Sequence, residues 1–160
     1  MKIDRILVPL DGSVLAEAAL DAAADFARAA SSTIVLLRAA EAHVFPGADP
    51  TDAQVRAVSE AEDYLARAAE RLRQHGVKEV QTSVWYGAPA ESIAEAARVR
   101  QADLIVMSSH GRGGLGRLIL GSVAESVLRS TDTPILLIRA TGAPLAGPTP
   151  GLRPREASRG

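Results

Sequence analysis

A chain of 160 residues, 47% apolar and 23% charged, is long enough for one domain with a sizeable core and too short for two comfortable ones. A net charge of −1 and an aromatic content of 3% argue against a polybasic nucleic-acid or membrane-surface binder and against base-stacking platforms. The absence of cysteine excludes disulfides, zinc–thiolate sites and thiol catalysis.

The chain starts on charge, Met1-Lys2-Ile3-Asp4-Arg5, where a signal peptide needs an apolar core. No apolar run approaches the ~20 residues of a membrane span, so a cytoplasmic protein is expected. Ile6 to Leu10 reads as a first strand, followed by Asp11-Gly12-Ser13 and a helix capped by Ser13, with Leu15, Ala18, Ala22 and Phe26 on its inner face. Thr33 to Leu37 is a second strand, and Glu41 to Thr51, with Pro46, Gly47 and Pro50, a loop. Asp52 opens a long helix carrying Val58, Ala61, Leu65, Ala68 and Leu72 and ending at Gly76. Val80 to Tyr86 alternates like an edge strand, and Pro89 starts a helix with Ile93 and Ala97 inward. Leu104 to Met107 is a fourth strand. A helix from about Leu118 to Ser130 places Leu120, Val123, Ala124 and Val127 inward, and Pro134 to Arg139 is a fifth strand. Residues 141–160, rich in proline and glycine and without apolar periodicity, read as a disordered tail.

Strands alternating with helices predict an α/β protein with one doubly wound parallel sheet, helices on both faces and strand order 3-2-1-4-5. Such sheets bind ligands at the carboxyl ends of strands where the order reverses. The loops that meet there are Asp11-Gly12-Ser13 and the glycine-rich stretch Ser108 to Gly116. Glycines between a strand and a helix present bare amides and a helix dipole to a phosphate. No P-loop is present, since Lys2 and Lys78 follow no candidate glycine. Gly111, Gly113 and Gly116 spell a dinucleotide fingerprint, but the next strand ends in Arg139 instead of an acid for the ribose.

A different frame fits better. Ser108-x-x-Gly111, nine residues, then Gly121-Ser122 resembles the G-x2-G-x9-G-[ST] nucleotide motif of the universal stress protein family. Asp103 to Gly113, Leu120 to Glu125, Ile6 to Ser13 and Pro134 to Ile138 resemble that family in the same order, over about residues 1–139. The resemblance implies a domain over residues 1–140 that binds ATP with Mg2+. Asp11 would bond the ribose hydroxyls, backed by Pro9 and Leu10, and Ala39 would line the adenine. Met107 and Ser108 would sit at the ribose and phosphate side. Gly111, Arg112, Gly121, Ser122 and Val123 would hold the triphosphate through backbone amides and the Ser122 hydroxyl. The sequence departs from the motif at Ser108, where the family has glycine. A positive φ at that position would strain a serine, whereas an extended one would make its hydroxyl available to the ligand.

Simpler roles exist for several of these residues. Asp11 can serve as a helix cap alone, His110 as a loop-fixing side chain, and Arg112 and Arg117 as a solvated face. Ser108, Ser109 and His110 lack the G-x-S-x-G elbow of a hydrolase, and His43, His75 and His110 lack metal-ligand spacing. No Walker-type lysine or catalytic base is evident, so at most slow ATP hydrolysis is expected. The alternatives are a nucleotide-free dimeric scaffold and an enzyme acting on an adenylated substrate. The resemblance also implies a homodimer paired through the apolar edge strand 134–139.

Overall fold

Continuous runs of branched aliphatic residues have two faces to bury. In the computed structural model, which describes residues 1–42, 44, 46–109 and 120–139, they form the middle of a parallel sheet. The elements are β1 (Arg5–Pro9), α1 (Val14–Ala30), β2 (Thr33–Ala40), α2 (Pro50–Gln74), β3 (Val80–Tyr86), α3 (Pro89–Val99), β4 (Leu104–Ser108), α4 (Ser122–Ser130) and β5 (Ile135–Ile138). The strand order is β3-β2-β1-β4-β5 with every pairing parallel, as the sequence predicts. The predicted tail, 141–160, lies outside the described residues.

Side chains alternate between two cores. Ile6, Val8, Leu10, Ile34, Leu36, Leu104 and Val106 pack under α1 and α2, which contribute Ala19, Ala23, Leu65 and Leu72 among others. Leu7, Val35, Leu37, Ile105 and Met107 pack under α3 and α4 with Ile93, Ala96, Ala97, Ala124 and Val127. The predicted edge position of β3 holds: among the described residues it pairs with β2 alone, Val80 and Val84 turning to one core and Trp85 to the other.

Several boundaries and faces differ from the expectation. Buried on α1 are Ala16, Ala19, Leu20, Ala23, Ala24 and Ala27, while Phe26 is 41% exposed and Leu15, Ala18 and Ala22 are only half-buried. Both stripes have the helical period. The alanine stripe wins because side chains without a γ carbon let the helix approach a sheet already filled by Ile, Leu and Val. α2 begins at Pro50 behind the cap Asp49, whose carboxylate accepts from the Thr51 amide, so the loop is two residues shorter than predicted. Proline fits there because the first helical amide needs no intrahelical acceptor. α4 begins at Ser122, with Leu120 and Gly121 outside it, and Val123 points outward, 37% exposed. Pro134 and Arg139 flank β5 and do not extend it.

The alanine packing predicts an asymmetric response to added bulk. Ala23→Leu, at a fully buried position on α1, is expected to cost about 1–3 kcal/mol through overpacking. Ala29→Leu on the exposed side of the same helix should stay within about 0.5 kcal/mol. Urea unfolding midpoints at equal m-values check both, and equal costs would contradict the assigned face.

Candidate functional site

Main-chain geometry opens the sheet where its order reverses. The Leu10 amide donates to the Leu37 carbonyl on the β2 side (2.8 Å), and the Arg5 carbonyl accepts from the Asp103 amide on the β4 side (2.9 Å). Odd-numbered residues of β1, Pro9 among them, therefore turn their main chain toward β4. Pro9 has no N–H to donate there. The paired register with β4 stops at Leu7↔Ile105, while that with β2 runs on to Pro9↔Leu37. The topological switch point thus falls at the carboxyl ends of β1 and β4, the place where a doubly wound sheet receives ligands.

On the β1 side, Asp11 Oδ1 accepts from the Ser13 amide at 2.8 Å, and the Ser13 hydroxyl accepts from the Ala16 amide at 3.1 Å. Ser13 is the cap of α1, as predicted, and Asp11 shapes the turn before it. Gly12 takes φ +82 and lies against Arg38: a Cβ added there would stand 3.3–3.4 Å from three guanidinium atoms. The Arg38 Cζ lies 4.9 Å from the centre of the Tyr64 ring. The Tyr64 hydroxyl donates to Glu17 at 3.0 Å, and Glu17 also takes Arg71 at 2.8 Å. Burial first, then the Glu17 bond, pushes the Tyr64 hydroxyl above the ordinary tyrosine range; Arg38 acts in the opposite direction and Asp11 adds to the rise.

On the β4 side, Ser108 is the last residue of the strand, buried, with Ile138 as its partner in register. Among the described residues, the non-glycine positions with positive φ are Ser31 and Gln101. Ser108 is therefore extended, and the strain considered for a serine there does not arise. The Ser109 amide donates to Ile138 O (2.9 Å), and the Gly121 amide donates to Ser109 O (2.7 Å). This last bond ties the start of α4 to the end of β4 and brings the two halves of the motif together. It also revises one role: the Gly121 amide is already engaged and is no phosphate donor. Gly121 caps α4 without a side-chain bond, so the amides of Ser122 and Val123, at exposed positions, begin the helix where donors have no intrahelical acceptor.

The strand alternation sorts the remaining residues. Pro9, Ala39 and Met107 share the parity of Leu7, Leu37 and Ile105 and face α3 and α4. Leu10, Arg38 and Ser108 share the opposite face, toward α1 and α2. Ala39 is the register partner of Trp85, a half-buried side chain whose indole donates to Ser83 Oγ at 3.0 Å. Arg38 and Trp85 are neighbours of the site that sequence reasoning did not single out. The alternation of β3 could have flagged Trp85, and a charged residue ending an otherwise apolar β2 run could have flagged Arg38. Gly111 and Arg112 lie outside the described residues, as do Gly113, Gly116, His43, His110 and Arg117. Among the described residues, no three His, Cys, Asp or Glu side chains converge to hold a metal, and no helix is long and apolar enough to cross a membrane.

The model of the Universal stress protein family matches residues 2–139. A universal stress protein of Methanocaldococcus jannaschii is 31% identical over 140 residues, covering 84% of this chain and 81% of that protein. A Staphylococcus aureus protein carrying the same family name is 30% identical over 143 residues, covering 88% and 86%. The solved structure of the universal stress protein from Archaeoglobus fulgidus in complex with dAMP superposes with a TM-score of 0.65 at 25% identity, covering 87% of this chain and 100% of that one.

The turn after β1 can be tested directly. Gly12→Ala places a Cβ in the left-handed region and against the Arg38 guanidinium. It is expected to cost about 1–2 kcal/mol, read as a lowered urea midpoint. An unchanged midpoint would show that the turn does not hold this conformation.

Proposed function

The chain belongs to the universal stress protein family, and from that membership we propose that residues 1–140 form a cytoplasmic regulatory module of the stress response that binds ATP with Mg2+. The observation that carries this reading is the 2.7 Å bond from the Gly121 amide to Ser109 O. It sets a helix start with no side-chain cap at the carboxyl end of β4, the neighbour of β1 where the strand order reverses. The dAMP complex of the Archaeoglobus fulgidus relative supports an adenine nucleotide as the ligand class.

In this assignment Asp11 takes the ribose hydroxyls, Pro9 and Leu10 back the nucleoside, and Ala39 lines the adenine with Trp85 beside it. Met107 and Ser108 close the β4 side, and Ser108 contributes an extended backbone with no glycine requirement. The Ser122 and Val123 amides and the Ser122 hydroxyl meet the phosphates, together with Gly111 and Arg112. Gly121 serves by having no side chain over them. Mg2+ neutralises phosphate charge and is held mainly by phosphate oxygens and water, as is usual for this ion. No residue is assigned as a catalytic base, and hydrolysis is at most slow.

Thermal shift tests this assignment. ATP at ~100 times its Kd adds about 2.7 kcal/mol to stability, and the same titration is expected to change the fluorescence of Trp85. Gly121 has φ −62 and ψ 149, a conformation open to valine, so Gly121→Val is expected to fold and to lose the shift. Retention of the full shift in that variant would refute the phosphate assignment.

The same reading pairs two copies through β5. Leu137 is 36% exposed, and among the described residues β5 pairs with β4 alone. An apolar strand edge of this kind is an aggregation hazard unless it is covered. Light scattering at micromolar concentration is expected to give twice the chain mass, and a monomeric mass would refute the dimer.

A further inference from the structure

Arg38 is held in place but not paired. Most arginines with defined contacts in this chain use their guanidinium on an acid or a carbonyl: Arg28 on Asp25, Arg71 on Glu17, Arg98 on Glu95, Arg129 on Glu125 and Arg5 on the Arg100 carbonyl. Arg38 is half-buried at the carboxyl end of β2, and among the described residues its guanidinium makes no hydrogen bond or ion pair. Its guanidinium lies beside the turn after β1: a Cβ added at Gly12 would stand 3.3 Å from Nη2 and 3.4 Å from Cζ and Nη1, so the glycine leaves the group its room. Tyr64 holds Cζ at 4.9 Å and is itself anchored by Glu17. The donors of the Arg38 guanidinium lie in its plane as a rigid fork, the geometry that suits a phosphate or carboxylate.

The strand order says which part of a nucleotide this fork meets. Across the sheet the sequence is β2 with Arg38, β1 with the Asp11 turn at its end, then β4 with the α4 start tied to it. On the nucleotide reading above, on which this inference rests, the 5′-phosphates run toward α4 and the ribose lies at Asp11. Arg38 stands on the opposite side of Asp11 from α4, at the nucleoside end. We propose that Arg38 is a specificity-determining residue that takes a phosphate ester carried on the ribose 2′ or 3′ oxygen, so that the site prefers adenine nucleotides phosphorylated at both ends of the ribose. The same pairing of an acid for a free hydroxyl with an arginine for a phosphorylated one distinguishes dinucleotide sites in other doubly wound folds.

Isothermal titration calorimetry of the full chain tests this, with AMP, ADP, adenosine 3′,5′-bisphosphate and adenosine 2′,5′-bisphosphate as ligands. ADP controls for phosphate number, because it carries its second phosphate at the α4 end. One bisphosphate is expected to bind roughly tenfold or more tighter than AMP, the scale of a charge-assisted hydrogen bond. That ratio should fall to near one in Arg38→Gln and to an intermediate value in Arg38→Lys, which keeps the charge and loses the fork. If AMP binds and neither bisphosphate is preferred, or the preference survives undiminished in Arg38→Gln, the role of Arg38 is overturned and the nucleotide reading stands. If no adenine nucleotide binds the wild-type chain, the nucleotide reading fails and this inference fails with it.

Discussion

The site depends on one missing donor. β1 is the central strand, paired on both edges and buried on both faces, and its amides must find acceptors in β2 or β4. At Pro9 the main chain turns toward β4 with no N–H, and the register with β4 has already ended at Leu7. On the other edge the Leu10 amide still reaches Leu37. β1 therefore stays anchored to β2 while its carboxyl end comes free of β4. Everything assigned to ligand binding is arranged around that separation.

Order and layer structure were legible in the sequence because they rest on coarse signals. Four apolar runs and one alternating run specify a buried parallel sheet with an edge strand, and glycine and proline punctuate the connections. Ser13, Leu65, Ile93 and Val127 have the roles their spacing predicts. What failed were choices between two helical stripes of similar hydrophobicity. In α1, Phe26 is the larger apolar residue, yet alanines face the sheet because the distance between layers, and not hydrophobicity alone, selects small side chains. The same limit applies to Val123, which points outward while its neighbour Ala124, in the same first turn of α4, enters the core.

The candidate site shows a similar division. Asp11 and Gly121 could be picked from motif position, and the structure brings their two loops to one end of the sheet. The hydrogen-bond accounting could not be read from the motif. Gly121 spends its amide on Ser109, so it serves as a joint between strand and helix, while the amides of Ser122 and Val123, also named by the motif, stand at the exposed helix start. Ser108 looks like a defect in the motif pattern. In the structure it is an ordinary last residue of a strand, and no glycine is needed there. Arg38 belongs to no motif and emerges only when β2, the β1 turn and α2 are packed together.

The two ends of the site are built from different materials, and this bears on what each can discriminate. At the α4 end the described donors are main-chain amides and a helix start worth about half an elementary charge. Such donors attract phosphate but are tolerant of how many follow. At the β2 end the contacts are side chains linked in series: Arg38 on Tyr64, Tyr64 on Glu17, Glu17 on Arg71. Through these links a ligand group that moves Arg38 also loads α1 and α2, whereas phosphates at α4 act on a helix joined to the opposite face of the sheet. On the proposed role of Arg38, selectivity, and any signal transmitted to the outer helices, belongs to the nucleoside end.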